Sequence, residues 1–113
     1  METMDQLYQS ISQNILNNVN DGWDFACINA EVLDGVVKLN GGYEIDSVFT
    51  PFKFRQFDRR IIDDFKAIHT ITTEDSYNKW NKAKFSLEST GKFNLEFEWD
   101  QELADEIERL NNE

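Results

Sequence analysis

The sequence is poor in the residues that usually announce a site. Of its 113 residues one is cysteine, Cys27, so no disulfide can form within the chain and an oxidising compartment is not implied. One is histidine, His69, which leaves no His cluster for a metal. One is proline, and only five are glycine. Cations are scarce as well: 11 Lys and Arg stand against 22 Asp and Glu, a formal charge of -11. Nothing basic is clustered, so phosphate-rich ligands are disfavoured and nucleic acid is excluded as the expected partner. No apolar run approaches the ~20 residues of a membrane span. The first ten residues are acidic and polar rather than cationic and then apolar, so no secretory signal is expected and the cytosol is the expected location.

Core-forming material is plentiful. Hydrophobic residues make up 40% and aromatic residues 13%, enough for one folded domain spanning 1–113 without metal or disulfide support. Over residues 4–19, Met4, Leu7, Tyr8, Ile11, Ile15, Leu16 and Val19 recur at helical spacing, with Thr3 as cap and Gly22 as stop. Residues 23–33 switch to a period of two: Ala26, Ile28, Ala30 and Val32 on one side, Phe25, Cys27, Asn29 and Glu31 on the other. Asp34-Gly35 is a two-residue turn signal that pairs Leu33 with Val36, Val32 with Val37 and Glu31 with Lys38.

A second turn is expected at Asn40, Gly41 and Gly42. It would place Tyr43 opposite Leu39 and Glu44 opposite Lys38, in a third strand ending near Pro51. Phe57, Ile61, Ile62, Phe65 and Ile68 then predict a helix from about Asp58, and the polar residues 70–81 a connection carrying Tyr77 and Trp80. Residues 82–99 read as a hairpin whose Ser89-Thr90-Gly91 loop aligns Leu87 with Phe93, Phe85 with Leu95, Lys84 with Glu96 and Lys82 with Glu98. Asp100 caps a last helix with Leu103, Ile107 and Leu110 as its stripe. The expected fold is α+β, a single domain in the order α-β-β-β-α-β-β-α, with an antiparallel sheet of about five strands and helices on one face.

Chemistry is sparsely encoded. His69, at a helix end, is expected to bind that helix's last carbonyls, and Cys27 to be a half-buried structural thiol. The sequence holds no Gly-rich phosphate loop, no GxSxG and no CxxC. Asp100, Glu102, Asp105 and Glu106 lack the alternation and central glycine of a calcium loop. Glu96 and Glu98 share a strand face, as acid and base pairs do, yet each is expected opposite a lysine. No catalysis, metal or cofactor is therefore expected. What remains is a surface: Glu31, Glu44, Asp46, Glu88, Glu96 and Glu98 on the outer sheet face with Phe25, Cys27 and Val36, and Phe25 and Trp80 as aromatic anchors for a positively charged protein.

The opening helix with Leu7 and Tyr8, the Trp23 after it, and the run from Phe85 through Ser86, Leu87, Glu88, Ser89, Thr90, Gly91 and Lys92 to Phe93, followed by Phe97, Glu98, Trp99 and Asp100, resemble the YezG-type immunity proteins. That resemblance implies an acidic cytosolic antitoxin in a one-to-one complex with a cognate bacterial toxin domain, often a basic nuclease. It supplies no catalytic residues. The alternative is an acidic adaptor or DNA mimic acting on a different basic host protein.

Overall fold

The computed structural model describes residues 3–33, 35–74 and 79–112. Its first helix, α1 (Met4–Leu16), opens with a reciprocal capping box: Gln6 N donates to Thr3 Oγ1 at 3.2 Å and Thr3 N donates to Gln6 Oε1 at 2.8 Å. Leu7, Ile11, Asn14 and Ile15 form its buried stripe. The helix stops three residues short of the sequence expectation, because Asn17 caps it and the Asn18 side chain turns back to the Asn14 carbonyl at 2.7 Å. Val19 still packs against the core from outside the helix.

Five strands follow in one antiparallel sheet: β1 (Phe25–Leu33), β2 (Val36–Ile45), β3 (Val48–Pro51), β4 (Lys82–Glu88) and β5 (Phe93–Glu98), in the spatial order β3-β2-β1-β4-β5. The expected registers hold in the β1–β2 and β4–β5 pairs. Leu33 faces Val36, Val32 faces Val37 and Glu31 faces Lys38; Leu87 faces Phe93, Phe85 faces Leu95, Lys84 faces Glu96 and Lys82 faces Glu98. Ala26, Ile28, Ala30 and Val32 are buried against the helices, while the odd-numbered residues of β1 face away. Asp34 of the β1–β2 turn, and Asp75, Ser76 and Tyr77 of the polar connection, lie outside the described residues.

The turn expected at Asn40-Gly41-Gly42 is not there. Strand β2 runs straight through it, pairing Asn40 with Asn29, Gly41 with Ile28 and Gly42 with Cys27. The glycines serve close approach instead. A Cβ on Gly41, whose φ is 142°, would lie 2.1 Å from the Cys27 carbonyl oxygen; one on Gly42 would lie 2.3 Å from the Thr50 carbonyl oxygen and 2.6 Å from Cζ of Phe49. The chain reverses at Asp46 and Ser47, both non-glycine residues with positive φ, 51° and 67°. Glu44 consequently faces Phe25 on β1 and Phe49 on β3, not Lys38.

Helix α2 (Arg60–Thr72) buries Ile61, Asp64, Phe65 and Ile68. Asp58 stands two residues before it, accepting Arg60 N on Oδ1 at 3.0 Å, and Asn14 of α1 clamps the same residue twice: Nδ2 donates to the Asp58 carbonyl at 2.9 Å and Oδ1 accepts its N–H at 3.0 Å. Phe52, Phe54 and Phe57 pack on one another at 5.0–5.8 Å, and Phe52 packs on Tyr43 at 5.4 Å, joining the β2–β3 edge to the main core. Helix α3 (Gln101–Asn111) is capped by Asp100, which accepts Leu103 N at 3.1 Å. Leu103 and Ile107 are half-buried, but Leu110, expected on the same stripe, is 55% exposed. The whole is a single compact α+β domain, and no helix among the described residues is long and apolar enough to cross a membrane.

Candidate functional site

The sheet has one face under α1 and α2 and one face open except at a lower corner, where Ile107 and Asn111 of α3 line a small pocket with Glu31, Leu33, Val36 and Lys38; the alternation of β1 decides which side chains reach the open face. Across its upper row stand Phe49 of β3, Glu44 of β2, Phe25 of β1 and Glu88 of β4, with Lys92 of the hairpin last, its carbonyl accepting Glu88 N at 2.8 Å. The next row is Pro51, Gly42, Cys27, Ser86 and Asn94. Below it come Asn40, Asn29, Lys84 and Glu96, then Lys38, Glu31, Lys82 and Glu98.

These rows divide the expected carboxylates into two kinds. Glu31, Glu96 and Glu98 each face a lysine across a strand: Lys38 and Lys82, Lys84, and Lys82 respectively. They form a mixed charge lattice. Glu44 has aromatic cross-strand neighbours on both sides, Phe25 and Phe49, and Glu88 borders Phe25 from the other flank. Asp46 is not on the sheet face. It sits in the β2–β3 turn, where its N–H donates to Asp24 Oδ2 at 3.0 Å, while Asp24 N donates to the Glu44 carbonyl at 2.8 Å. Asp24, Glu44, Asp46 and Glu88 thus surround the half-buried Phe25, with Phe49, 57% exposed, beside them over Gly42. Apolar rings inside a carboxylate rim are suited to a basic, amphipathic surface.

Trp80 does not belong to this face. It is 3% exposed, stacks on Phe97 at 4.7 Å, and donates Nε1–H to Thr72 Oγ1 at 2.7 Å, so it is core on the helix side. Its carbonyl meets His69 Nε2 at 3.0 Å, a bond that requires the proton on Nε2. His69 therefore ties the connection after α2 to that helix. The expected capping of the last carbonyls falls to Thr72 and Thr73, whose hydroxyls donate to Ile68 and His69 at 2.7 and 2.6 Å.

Sequence reasoning missed Phe49 and Asp24. The false turn at Gly41-Gly42 removed the strand parity that puts Phe49 in line with Phe25, and Asp24 precedes the first paired residue. The spacing of Val48, Phe49 and Thr50 behind Asp46-Ser47 was the available signal.

Reactive chemistry finds little support in the geometry. Burial pushes the Cys27 thiol above its ordinary value, against the opposing effects of Lys84 and a hydrogen bond with Ser86, so at neutral pH it is protonated. The sheet separates Cys27 from His69. Among the described residues no group of three or more His, Cys, Asp or Glu is placed to hold a metal ion. Lys82 gives its short contact, 2.9 Å, to Asp100 rather than to Glu31 or Glu98. A scan against protein-family models finds no match to the chain, and none is found among curated proteins.

Proposed function

We propose that this chain is an immunity protein that binds a basic bacterial toxin domain one-to-one in the cytosol and neutralises it, performing no reaction itself. The observation that carries the reading is the position of Phe25, an aromatic on an uncovered sheet face with Asp24, Glu44, Asp46 and Glu88 about it, in a chain of net charge -11. A nuclease must be basic to hold phosphate, and an acidic face can occupy the same surface. Phe25 and Phe49 act as the apolar anchors, and the carboxylates select the partner and accelerate encounter. The resemblance of the hairpin segment from Phe85 to Phe93 to the YezG-type immunity proteins points the same way.

Co-expression with a candidate basic toxin domain, taken from the adjacent gene where that gene encodes one, tests the reading. Growth should be rescued from that domain and from no unrelated one, and Phe25→Ala with Glu44→Lys should abolish rescue while the protein still accumulates. Rescue from several unrelated basic proteins would favour a general nucleic-acid mimic, and no complex with the neighbouring domain would end the proposal.

A further inference from the structure

The two edges of the sheet are finished differently. Strand β3 is four residues long and ends in Pro51, which has no N–H to offer. Strand β5 has six residues, no proline, and all but Leu95 exposed. Glu88 N donates to the Lys92 carbonyl at 2.8 Å and Asn81 N to the Glu98 carbonyl at 3.1 Å, so the even-numbered residues along this stretch direct their main-chain groups at β4. By the alternation of an antiparallel ladder, the N–H and C=O groups of Phe93, Leu95 and Phe97 point at the free edge.

Side chains at that edge are equally unfinished. On the helix side, Phe93 is 47% exposed, Phe97 42% and the following Trp99 41%. The ledge runs into a groove of about 630 Å³ against α1, lined by Tyr8, Leu16, Trp23 and Leu87. On the bare side, charge alternates strand by strand: Lys38, Glu31, Lys82, Glu98 in one row, and Lys84, Glu96 in the row above. Both rows stop on a carboxylate at β5. The next strand in the sequence of alternation carries a cation beside Glu98 and another beside Glu96.

We propose that the free edge of β5 receives a sixth strand from a basic protein partner, an extended segment in which apolar residues alternate with lysine or arginine. Its apolar side chains lie along Phe93, Leu95 and Phe97; its cations continue the two charge rows; its main chain pairs with the three unpaired residues. A second copy of this chain is the poorer occupant, since pairing would join two bodies of net charge -11. The inference rests on the reading of the chain as a binder of a basic protein, and gives the partner segment a conformation and a side-chain pattern.

The test uses the full chain and an end-blocked eight-residue peptide alternating valine and lysine, with a peptide of the same composition in which four valines precede four lysines. Amide spectra titrated with the alternating peptide should shift at Phe93, Leu95 and Phe97, and hydrogen exchange at those three should slow tenfold or more; the block peptide should produce neither effect. Leu95→Pro fills the outward N–H position and leaves the bonds to β4 in place, so it should abolish both. Glu98→Gln, which removes the carboxylate without setting a like charge opposite Lys82, should weaken binding severalfold with little change in the melting temperature. Equal protection by the block peptide, shifts confined to Phe25 and Glu44, undiminished binding by folded Leu95→Pro, or a concentration-dependent dimer protected at β5 would each overturn the inference. Toxin neutralisation that survives Leu95→Pro would sink it and leave the proposed function standing. Peptide pairing at β5 in a chain that neutralises no toxin would do the reverse.

Discussion

Asn81 and Asp100 hold each other by two bonds of 2.8 Å: the Asn81 amide donates to the Asp100 carbonyl and accepts the Asp100 N–H. Nineteen residues apart, they bring the start of β4 to the end of β5 with a side chain acting as a piece of backbone. The Asp100 carbonyl also accepts Ala104 N at 3.2 Å, whereas the Asp100 N–H has Asn81 Oδ1, in a side chain 2% exposed, as its partner. Asn81→Ala leaves that N–H without its partner and is therefore expected to lower stability by about 1–3 kcal/mol. Urea unfolding should show the lower midpoint at an unchanged slope. Asn81→Asp keeps the acceptor but sets a buried carboxylate oxygen against the Asp100 carbonyl, and should cost at least as much.

Asp100 is also the partner of Lys82, and their coupling sets a pH dependence. The hydrogen bond from Lys82, then the Leu103 N–H, hold the Asp100 carboxyl below its usual range. A depressed folded value means that this contribution is present above the unfolded value of about 3.9 and is lost as pH falls through the lower folded one. The Asp100 hydrogen bond in turn raises Lys82, whose contribution is present below about 10.4 and is lost as pH rises through its higher folded value. Melting temperature followed against pH should show a decline below pH 4 that is shallower in Asp100→Asn. An identical acid slope in that variant would remove this pair as the cause.

The glycines of β2 give a graded test of the corrected strand. Gly41→Ala adds a Cβ against the Cys27 carbonyl at a φ of 142°, and should cost about 3 kcal/mol or more from overlap and strain together. Gly35→Ala meets nothing within 4 Å and bears only its φ of 77°, for about 1 kcal/mol. Chemical denaturation of the two variants side by side would settle the order. Were residues 40–42 a turn, Gly41→Ala would be the milder change.

Those same glycines mark where the sequence was legible and where it was not. The registers of Glu31 with Lys38 and of Lys84 with Glu96 could be read because the strands concerned are joined by short turns, and facing residues agree in polarity or oppose in charge on both sides. Thr3 and Asp100 could be read as caps because a cap is local. Gly41 and Gly42 misled because a turn and a tight three-strand contact both call for a residue without a side chain, and only the third strand tells them apart. Trp80 misled for a related reason: a lone tryptophan in a polar stretch looks exposed until Phe97, His69 and Thr72 are folded around it. The outer face was half visible. Parity placed Phe25, Glu31, Glu88, Glu96 and Glu98 there, while Asp46 went to the turn and Phe49 was overlooked.

Binding should follow the division of that face. Phe25→Ala is expected to weaken the proposed toxin complex by about 2 kcal/mol, roughly thirtyfold. Glu44→Lys should lower the association rate by about tenfold at low salt, an effect that shrinks as salt is added. Glu31→Gln, inside the lysine lattice, should change either quantity far less. Surface plasmon resonance at two ionic strengths would compare them, and equal losses for Glu31→Gln and Glu44→Lys would deny the division.

Cys27 offers a chemical probe of the same area. With its thiol raised by burial, it should alkylate more slowly than free cysteine at neutral pH and gain speed only above the ordinary thiol value of about 8.5. Once a bulky maleimide is attached beside Phe25, the proposed toxin binding should be lost while the circular dichroism spectrum is kept. Full binding by the labelled protein would move the contact elsewhere.

Pro51 gives the molecule a direction of growth. Because the four-residue β3 side is closed and the β5 side is open, a guest strand would leave a sheet that still terminates on its far side. Such a body offers one side to an added strand and presents the proline-ended strand on the other, so copies have no ready way to chain edge to edge through both.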